Sequence, residues 1–314
     1  METKNAVDAK KRVDGVLAEV GKVVMGKRDV VENIIIAILC DGHVLLEGVP
    51  GIAKTKMANA LACCLECDFK RVQFTPDLLP ADILGTMMVD EKKKFVLRQG
   101  PIFTNILLAD EINRSPPKTQ SALLECMQEK QVTIDKASYP MSYPFVVMAT
   151  ENPIEMEGTY PLPEAQVDRF IFKLILDYPT RDEEMGILKL NDIESAKVSP
   201  LLTAEDIESL RDLAKTVKVA DPVLVYITDL VTATRQREEI QLGASPRASI
   251  AFLKAARVKA LLAGRSYAIP DDVKAMAYPV LRHRIILKTE AELSGITVDL
   301  MIKKILETVP VPKV

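Results

Sequence analysis

Residues 48–55 read GVPGIAKT. The pattern is that of a phosphate-binding loop, G-x-x-x-x-G-K-[ST], with one departure. Gly48, Lys54 and Thr55 fit it, while Ala53 stands where a second glycine is usual. If the loop needs a negative φ there, alanine adds only a methyl group at little cost, and Gly51 remains for the tighter bend. HVLLEG (43–48) reads as a short buried strand directly before the loop, and KTKMANALACCL (54–65) as a helix directly after it. In that setting the loop N–H groups and the helix N-terminus meet an anion, Lys54 reaches the β- and γ-phosphates, and the Thr55 hydroxyl faces Mg2+.

Outward from the loop, apolar runs alternate with helical patterns. RVQF (71–74), ILLAD (106–110), PFVVMATEN (144–152) and RFIFKLIL (169–176) read as further strands. Ser115 and Pro116 are an N-cap and a first-turn proline for a helix reaching about Glu129. Strands alternating with helices predict an α/β fold with a parallel sheet. An amphipathic helix opens the chain, with Val13, Val16, Leu17 and Val20 at helical spacing. Beyond Pro179 the periodicity is helical and no strand is expected. The chain therefore divides into an α/β core at 1–180, a linker at 181–200 and an all-helical domain at 201–314.

A second acidic motif supports the nucleotide reading. ILLADEIN (106–113) delivers Asp110 to the C-terminal edge of a strand, where it can hold the Mg2+ water shell. Glu111 beside it can polarise an attacking water. Asn152, ending the next strand, either orients that water or forms a turn before Pro153. Arg169, in QVDRFIF, is a surface or ion-paired arginine on its own merits. Arg247 lies in the first turn of a helix capped by Ser245 and Pro246, where a cation opposes the helix dipole. An anion from elsewhere would account for it.

Composition bounds the rest. Of 314 residues 48% are apolar, Trp is absent and aromatics make up 5%, so the core must be mainly aliphatic. The net charge of −3 carries no global polyanion signal. The five cysteines lack disulfide spacing, and with only His43 and His283 available the Cys63, Cys64, Cys67 cluster reads as buried thiols rather than a metal site. There is no secretory h-region and no apolar run near the ~20 residues of a spanning helix. A cytoplasmic protein without membrane insertion is expected.

Taken together, these segments resemble the MoxR family of AAA+ ATPases, in the clade with an insert in helix 2. LLEGVPGIAKT is similar to that family's Walker A, in which alanine before the lysine is usual. LLADEINRSPPKTQSALLECMQE resembles its Walker B, VQFTPDLLPADILGT and GPIF the helix-2 insert region, ATENPIEMEGTYPLPEAQVDRF the sensor 1 to arginine-finger region, and SPRA its sensor 2. The resemblance implies an AAA+ core followed by a helical lid. It implies ATP and Mg2+ as cofactors, bound by Gly48, Pro50, Gly51, Ile52, Ala53, Lys54, Thr55 and Lys56. Thr55 and Asp110 would serve the metal, and Val24, Met25 and Gly26 the adenine side. By the same resemblance Glu111 activates water, Asn152 is sensor 1, Arg169 is the finger completing a neighbour's site, and Arg247 is sensor 2, in cis or in trans. A ring is implied, expected to be hexameric, that remodels or activates client proteins, often von Willebrand factor A partners.

The competing reading is a nucleic-acid motor or loader. Residues 246–288 hold nine Lys/Arg against Asp271 and Asp272, but no helix-turn-helix, zinc module or stacking platform accompanies them, and no nucleic acid is expected. Finally, GTMMVDEKKKFVLRQGPIF (85–103) alternates about a polar turn and predicts a β-hairpin inserted after the second strand.

Overall fold

The computed structural model describes residues 2–49, 51–135, 137–152, 158–191 and 197–313. Helices α1 (Glu2–Gly21) and α2 (Arg28–Leu39) precede β1 (Val44–Gly48), and α3 (Lys54–Cys64) follows the loop. Next come β2 (Phe69–Gln73), the short α4 (Pro80–Leu84) and the hairpin β3 (Gly85–Val89) and β4 (Phe95–Gln99). Then follow β5 (Ile106–Asp110), α5 (Pro117–Glu129), a second hairpin of β6 (Gln131–Ile134) and β7 (Ala137–Pro140), β8 (Val146–Glu151), α6 (Glu164–Val167) and β9 (Phe172–Leu176). The C-terminal part holds α7 (Arg181–Asn191), α8 (Ala204–Thr216), α9 (Asp221–Gln236), β10 (Ile240–Leu242), α10 (Pro246–Leu262), α11 (Pro270–Ala275), α12 (Ala277–Leu281), β11 (Ile286–Leu287), α13 (Thr289–Leu293) and α14 (Val298–Thr308).

The expected strands form one five-stranded sheet in the order β2-β5-β8-β1-β9, parallel throughout. Its central strands are buried on both faces, which is why they read as continuous apolar runs. Alternate residues serve different layers. Val44, Leu46, Ile106, Leu108, Val146 and Met148 pack on the side of α1, α2 and α3. Leu45, Leu107, Ala109, Val147 and Ala149 pack with Leu123, Leu124 and Phe170 on the α5 side. The first layer is continuous with the C-terminal helices, because α1 lies against α10 as well as α3. The amphipathic stripe Val13, Val16, Leu17, Val20 is buried there.

Three expectations need revision. α5 begins at Pro117, with Pro116 as its N-cap, because Ser115 closes a 3-10 turn over Ile112–Arg114. The stretch read as a linker is helical over Arg181–Asn191, while 192–196 lie outside the described residues. The helical lid also contains an antiparallel ribbon in which Ile240 faces Leu287 and Leu242 faces Ile286. At three and two residues these strands are too short to show a period. The hairpin expected within 85–103 is present, with Val89 opposite Phe95.

Candidate active site

Because the sheet is parallel, β1, β5 and β8 bring Gly48, Asp110 and Glu151 to a single edge, where α/β sheets take their ligands. Gly48 admits no side chain, since a Cβ there would stand 2.6 Å from the Leu176 carbonyl oxygen on β9. The chain then turns through Gly51 at φ +83° and enters α3 from Ala53 at φ +57°, ψ +22°. The condition under which alanine would cost little, a negative φ at residue 53, is therefore not met: the step from strand end to helix start takes Ala53 into the left-handed region. No side chain caps α3, so its first N–H groups are left for an anion. Lys54 Nζ donates to the Gly48 carbonyl at 2.5 Å, curling back over the loop. Burial lowers the Lys54 pKa, and the fields of Asp110, Glu111 and Glu47 oppose that shift. Thr55 is half-buried beside it and Lys56 is exposed; Pro50 lies outside the described residues.

The acidic pair is held by side chains that the sequence reading missed. Asp110 Oδ2 accepts from Arg71 Nη2 at 2.7 Å and Nε at 3.1 Å, and its Oδ1 accepts from the Thr150 hydroxyl at 2.6 Å. Glu111 sits at φ +56°, its N–H donating to Thr150 Oγ1 at 2.8 Å. Its Oε2 accepts from Gln73 Nε2 at 2.7 Å and Arg114 Nη1 at 3.0 Å. Arg71 and Gln73 alternate along β2, whose register sets Gln73 opposite Asp110. The i, i+2 spacing of two polar residues on an edge strand was the available signal. Asn152 follows β8 and is buried.

Beside the loop a cavity of about 200 Å³ is lined by Val23, Val24, Met25, Gly51, Ile52 and Ala53, and closed by Tyr178, Pro179 and Ile187. Val24 and Met25 thus stand across this cavity from the phosphate loop. Gly26 backs this wall at φ +69°, where a Cβ would collide with the Glu183 carboxylate. The wall's other half was not anticipated. It comes from α7, in the supposed linker, where Gly186 leaves room for the Met25 methyl.

Arg169 and Arg247 lie elsewhere. Both line a second cleft of about 220 Å³ with Asp168, Lys254, Arg284 and residues 40–43. Residues 40–43 precede β1 and Arg169 precedes β9, whose register runs Val44 to Phe172 through Gly48 to Leu176. At ~3.3 Å per residue, the whole of β1 separates this cleft from the phosphate loop by more than an arginine side chain spans. Arg169 Nη1 donates to the Leu124 carbonyl at 3.3 Å, and its buried Nε has no partner. Arg247, half exposed, finds the anion its position called for: Asp168 Oδ2 lies 3.8 Å away. Ser245 caps α10 by accepting from Arg247 N at 3.1 Å and donates its hydroxyl to Asp168 at 2.8 Å.

The model of the ATPase family associated with various cellular activities (AAA) matches residues 43–172, and that of the AAA lid domain residues 232–305. The chain is 48% identical to YeaC, an uncharacterized protein of Bacillus subtilis, over 93% of its own length and 92% of that protein's. It is 44% identical to Chaperone MoxR1 of Mycobacterium tuberculosis, over 94% of this chain and 81% of the relative. The chain belongs to the MoxR family of AAA+ ATPases. A solved structure from Cytophaga hutchinsonii, described as an ATPase, superposes on this MoxR-family chain with a TM-score of 0.92 at 43% identity, covering 99% of this chain and 98% of that one.

Like its family, the MoxR-family chain is an ATP-hydrolysing enzyme, and the first edge of its sheet fits the nucleotide. An uncapped helix start and a half-buried lysine suit phosphate, and an apolar cavity beside them suits a base. A threonine hydroxyl and a carboxylate, both oxygen donors, are the chemistry Mg2+ selects. In this conformation both Asp110 oxygens are engaged by Arg71 and Thr150, so a cation held there would have to share Asp110 with the Arg71 charge.

Proposed function

We propose that this chain hydrolyses ATP in a Mg2+-dependent way as a ring, hexameric in form, and uses the energy to remodel or activate client proteins. The observation that carries the shared-site reading is the separation of Lys54 from Arg169 and Arg247 by the length of β1. Lys54 and the α3 N-terminus hold the β- and γ-phosphates, and Val24, Met25, Tyr178 and Ile187 enclose the base. Thr55 and Asp110 hold Mg2+, which when bound neutralises phosphate charge. Glu111, released from Gln73 and Arg114, takes a proton from water as its oxygen attacks the γ-phosphorus, and the bond to the β-phosphate oxygen breaks. Asn152 orients that water. Arg169 and Arg247 meet the γ-phosphate of the adjoining subunit, so both act in trans. An arginine contributed this way is worth roughly 10³–10⁵ in rate.

The name Chaperone MoxR1 supports a protein client, and the family resemblance implies von Willebrand factor A-domain partners. We place the division between core and lid within 181–200. The nucleic-acid reading loses its main support here, because six of the nine cations in 246–288 face carboxylates of this chain: Arg247, Lys259, Arg265, Lys274, Arg282 and Arg284. Among the described residues no helix is long and apolar enough to cross a membrane, which is consistent with the cytoplasmic placement we propose.

Glu111→Gln tests the assignment. The amide keeps the shape but not the basicity, so a fluorescent ATP analogue should still bind while turnover falls roughly 10²–10⁴-fold. Lys54→Ala should instead lose binding. Parental turnover in the Gln variant would remove Glu111 from its role.

A further inference from the structure

Arg284 lies in the turn between α12 and β11 and is 6% exposed. A guanidinium has five N–H donors, and here all five are used. Nε donates to Asp168 Oδ1 at 2.7 Å, Nη2 to the Asp168 and Phe170 carbonyls at 3.1 and 2.7 Å, and Nη1 to the Ile171 and Val280 carbonyls at 3.1 and 2.6 Å. Four of these five bonds fall on Asp168, Phe170 and Ile171, the residues that bracket Arg169. His283 adds a second lid donor to the Phe170 carbonyl at 2.9 Å. A buried cation that merely filled space would take whichever acceptors lay nearest. This one grips the backbone on both sides of a single residue.

Arg169 shows the complementary pattern. Its backbone is fixed through its neighbours, while its guanidinium holds one long bond to Leu124 and leaves Nε unpaired. The root is anchored and the tip is uncommitted. Asp168 joins the grip to the lid a second time through the Ser245 hydroxyl at the start of α10.

We infer that Arg284 is a positioning residue for catalysis in the adjoining subunit: from the lid, it sets the backbone on which Arg169 is presented. This rests on the reading of Arg169 as a finger acting in trans. Arg284 touches no substrate in this scheme, and its effect should appear only in the subunit's role as donor of the finger.

Mixed assemblies of the full chain separate the roles. In the first mixture Arg169→Ala subunits, which bind ATP, receive the finger from Lys54→Ala subunits, which do not bind it. In the second the donor also carries Arg284→Gln. In the third that change is moved to the Arg169→Ala acceptor. The second mixture should hydrolyse ATP roughly 10²-fold more slowly than the first, the scale of a misplacement near 1 Å, and the third should match the first. Equal rates in the first and second mixtures would overturn the inference, as would a third mixture as slow as the second, which is what general damage to the fold produces. If the first mixture shows no rate above its separate components, Arg169 does not act in trans and both readings fall together. Should thermal melting show that Arg284→Gln does not fold, Arg284→Lys takes its place in the same mixtures. It keeps the charge beside Asp168 but lacks the planar fork, so the same outcomes are expected.

Discussion

Ala53 carries a cost that the phosphate loop tolerates. At φ +57° an L-residue is disfavoured by about 1–2 kcal/mol. Ala53→Gly removes that strain but gives the unfolded chain about 0.4–1 kcal/mol of extra entropy. Calorimetry should therefore find the glycine variant equal to the parent or up to about 1.5 kcal/mol more stable. Ala53→Val, β-branched in the same region, should melt lower and bind ATP more weakly. A marked loss of stability in Ala53→Gly would show that the loop is not strained. Lys54, Thr55, Asp110 and Glu111 were legible because each follows a strand whose burial is written in its own residues. The sign of φ at Ala53 was not, since it depends on where α3 begins relative to the end of β1. Nor were Arg71, Gln73 and Thr150, whose contacts exist only through the register of β2, β5 and β8.

At the scale of elements, the β3–β4 hairpin is the exposed one. Asp90 Oδ1 accepts the N–H groups of Lys92 and Lys94 at 2.9 and 2.8 Å, and Lys93 takes φ +59°, so the turn holds three lysines at its tip. Val89 and Phe95 flank them, 58% and 73% exposed. Cations at such a tip, repeated around a ring, would favour acidic client segments. Exchanging Lys92, Lys93 and Lys94 for Glu should spare basal ATP hydrolysis and weaken client-stimulated hydrolysis, with less dependence on salt; unchanged stimulation would mark the hairpin as bystander. His43 pins three elements together. Its Nδ1 accepts from Val147 N at 3.0 Å and its Nε2 donates to the Met127 carbonyl at 3.0 Å, so the native ring is neutral. Burial pushes its pKa down to about 4, and pushes that of His283 down as well. Between the ordinary value near 6.5 and about 4 the unfolded chain binds a proton that the native chain refuses. His43 alone should thus cost about 3 kcal/mol of stability as pH falls through that window, and nothing above it. Urea midpoints at pH 7 and 4.5 would show the loss, and His43→Gln should reduce it, leaving the part that His283 contributes. The sheet strands were readable because burial on both faces leaves an apolar run. The β10–β11 pair, of three and two residues, is too short for any period.

Across the whole molecule, Arg169, proposed above as a finger for the adjoining subunit, and the phosphate loop lie at opposite ends of β1. Dilution should therefore lower ATPase activity per subunit as assemblies come apart, falling toward the ~10³-fold or greater deficit of a site without its arginine. Activity that stays proportional to protein down to a monomer, by light scattering, would refute this. The sequence held both arginines but not this arrangement, because which edge a residue reaches depends on strand direction and order. The separation also restricts symmetry. Two subunits related by a twofold axis present the same patch to each other, so loop would have to meet finger within a single patch. With these groups at opposite ends of β1, a site shared in the way proposed would join unlike faces, head to tail. Such contacts either close into a ring or continue as a filament. An open string of n subunits has n − 1 complete sites and one idle loop at its end, whereas closure supplies the missing one. Activity per subunit would therefore report whether the assembly has closed, without any need to see its shape.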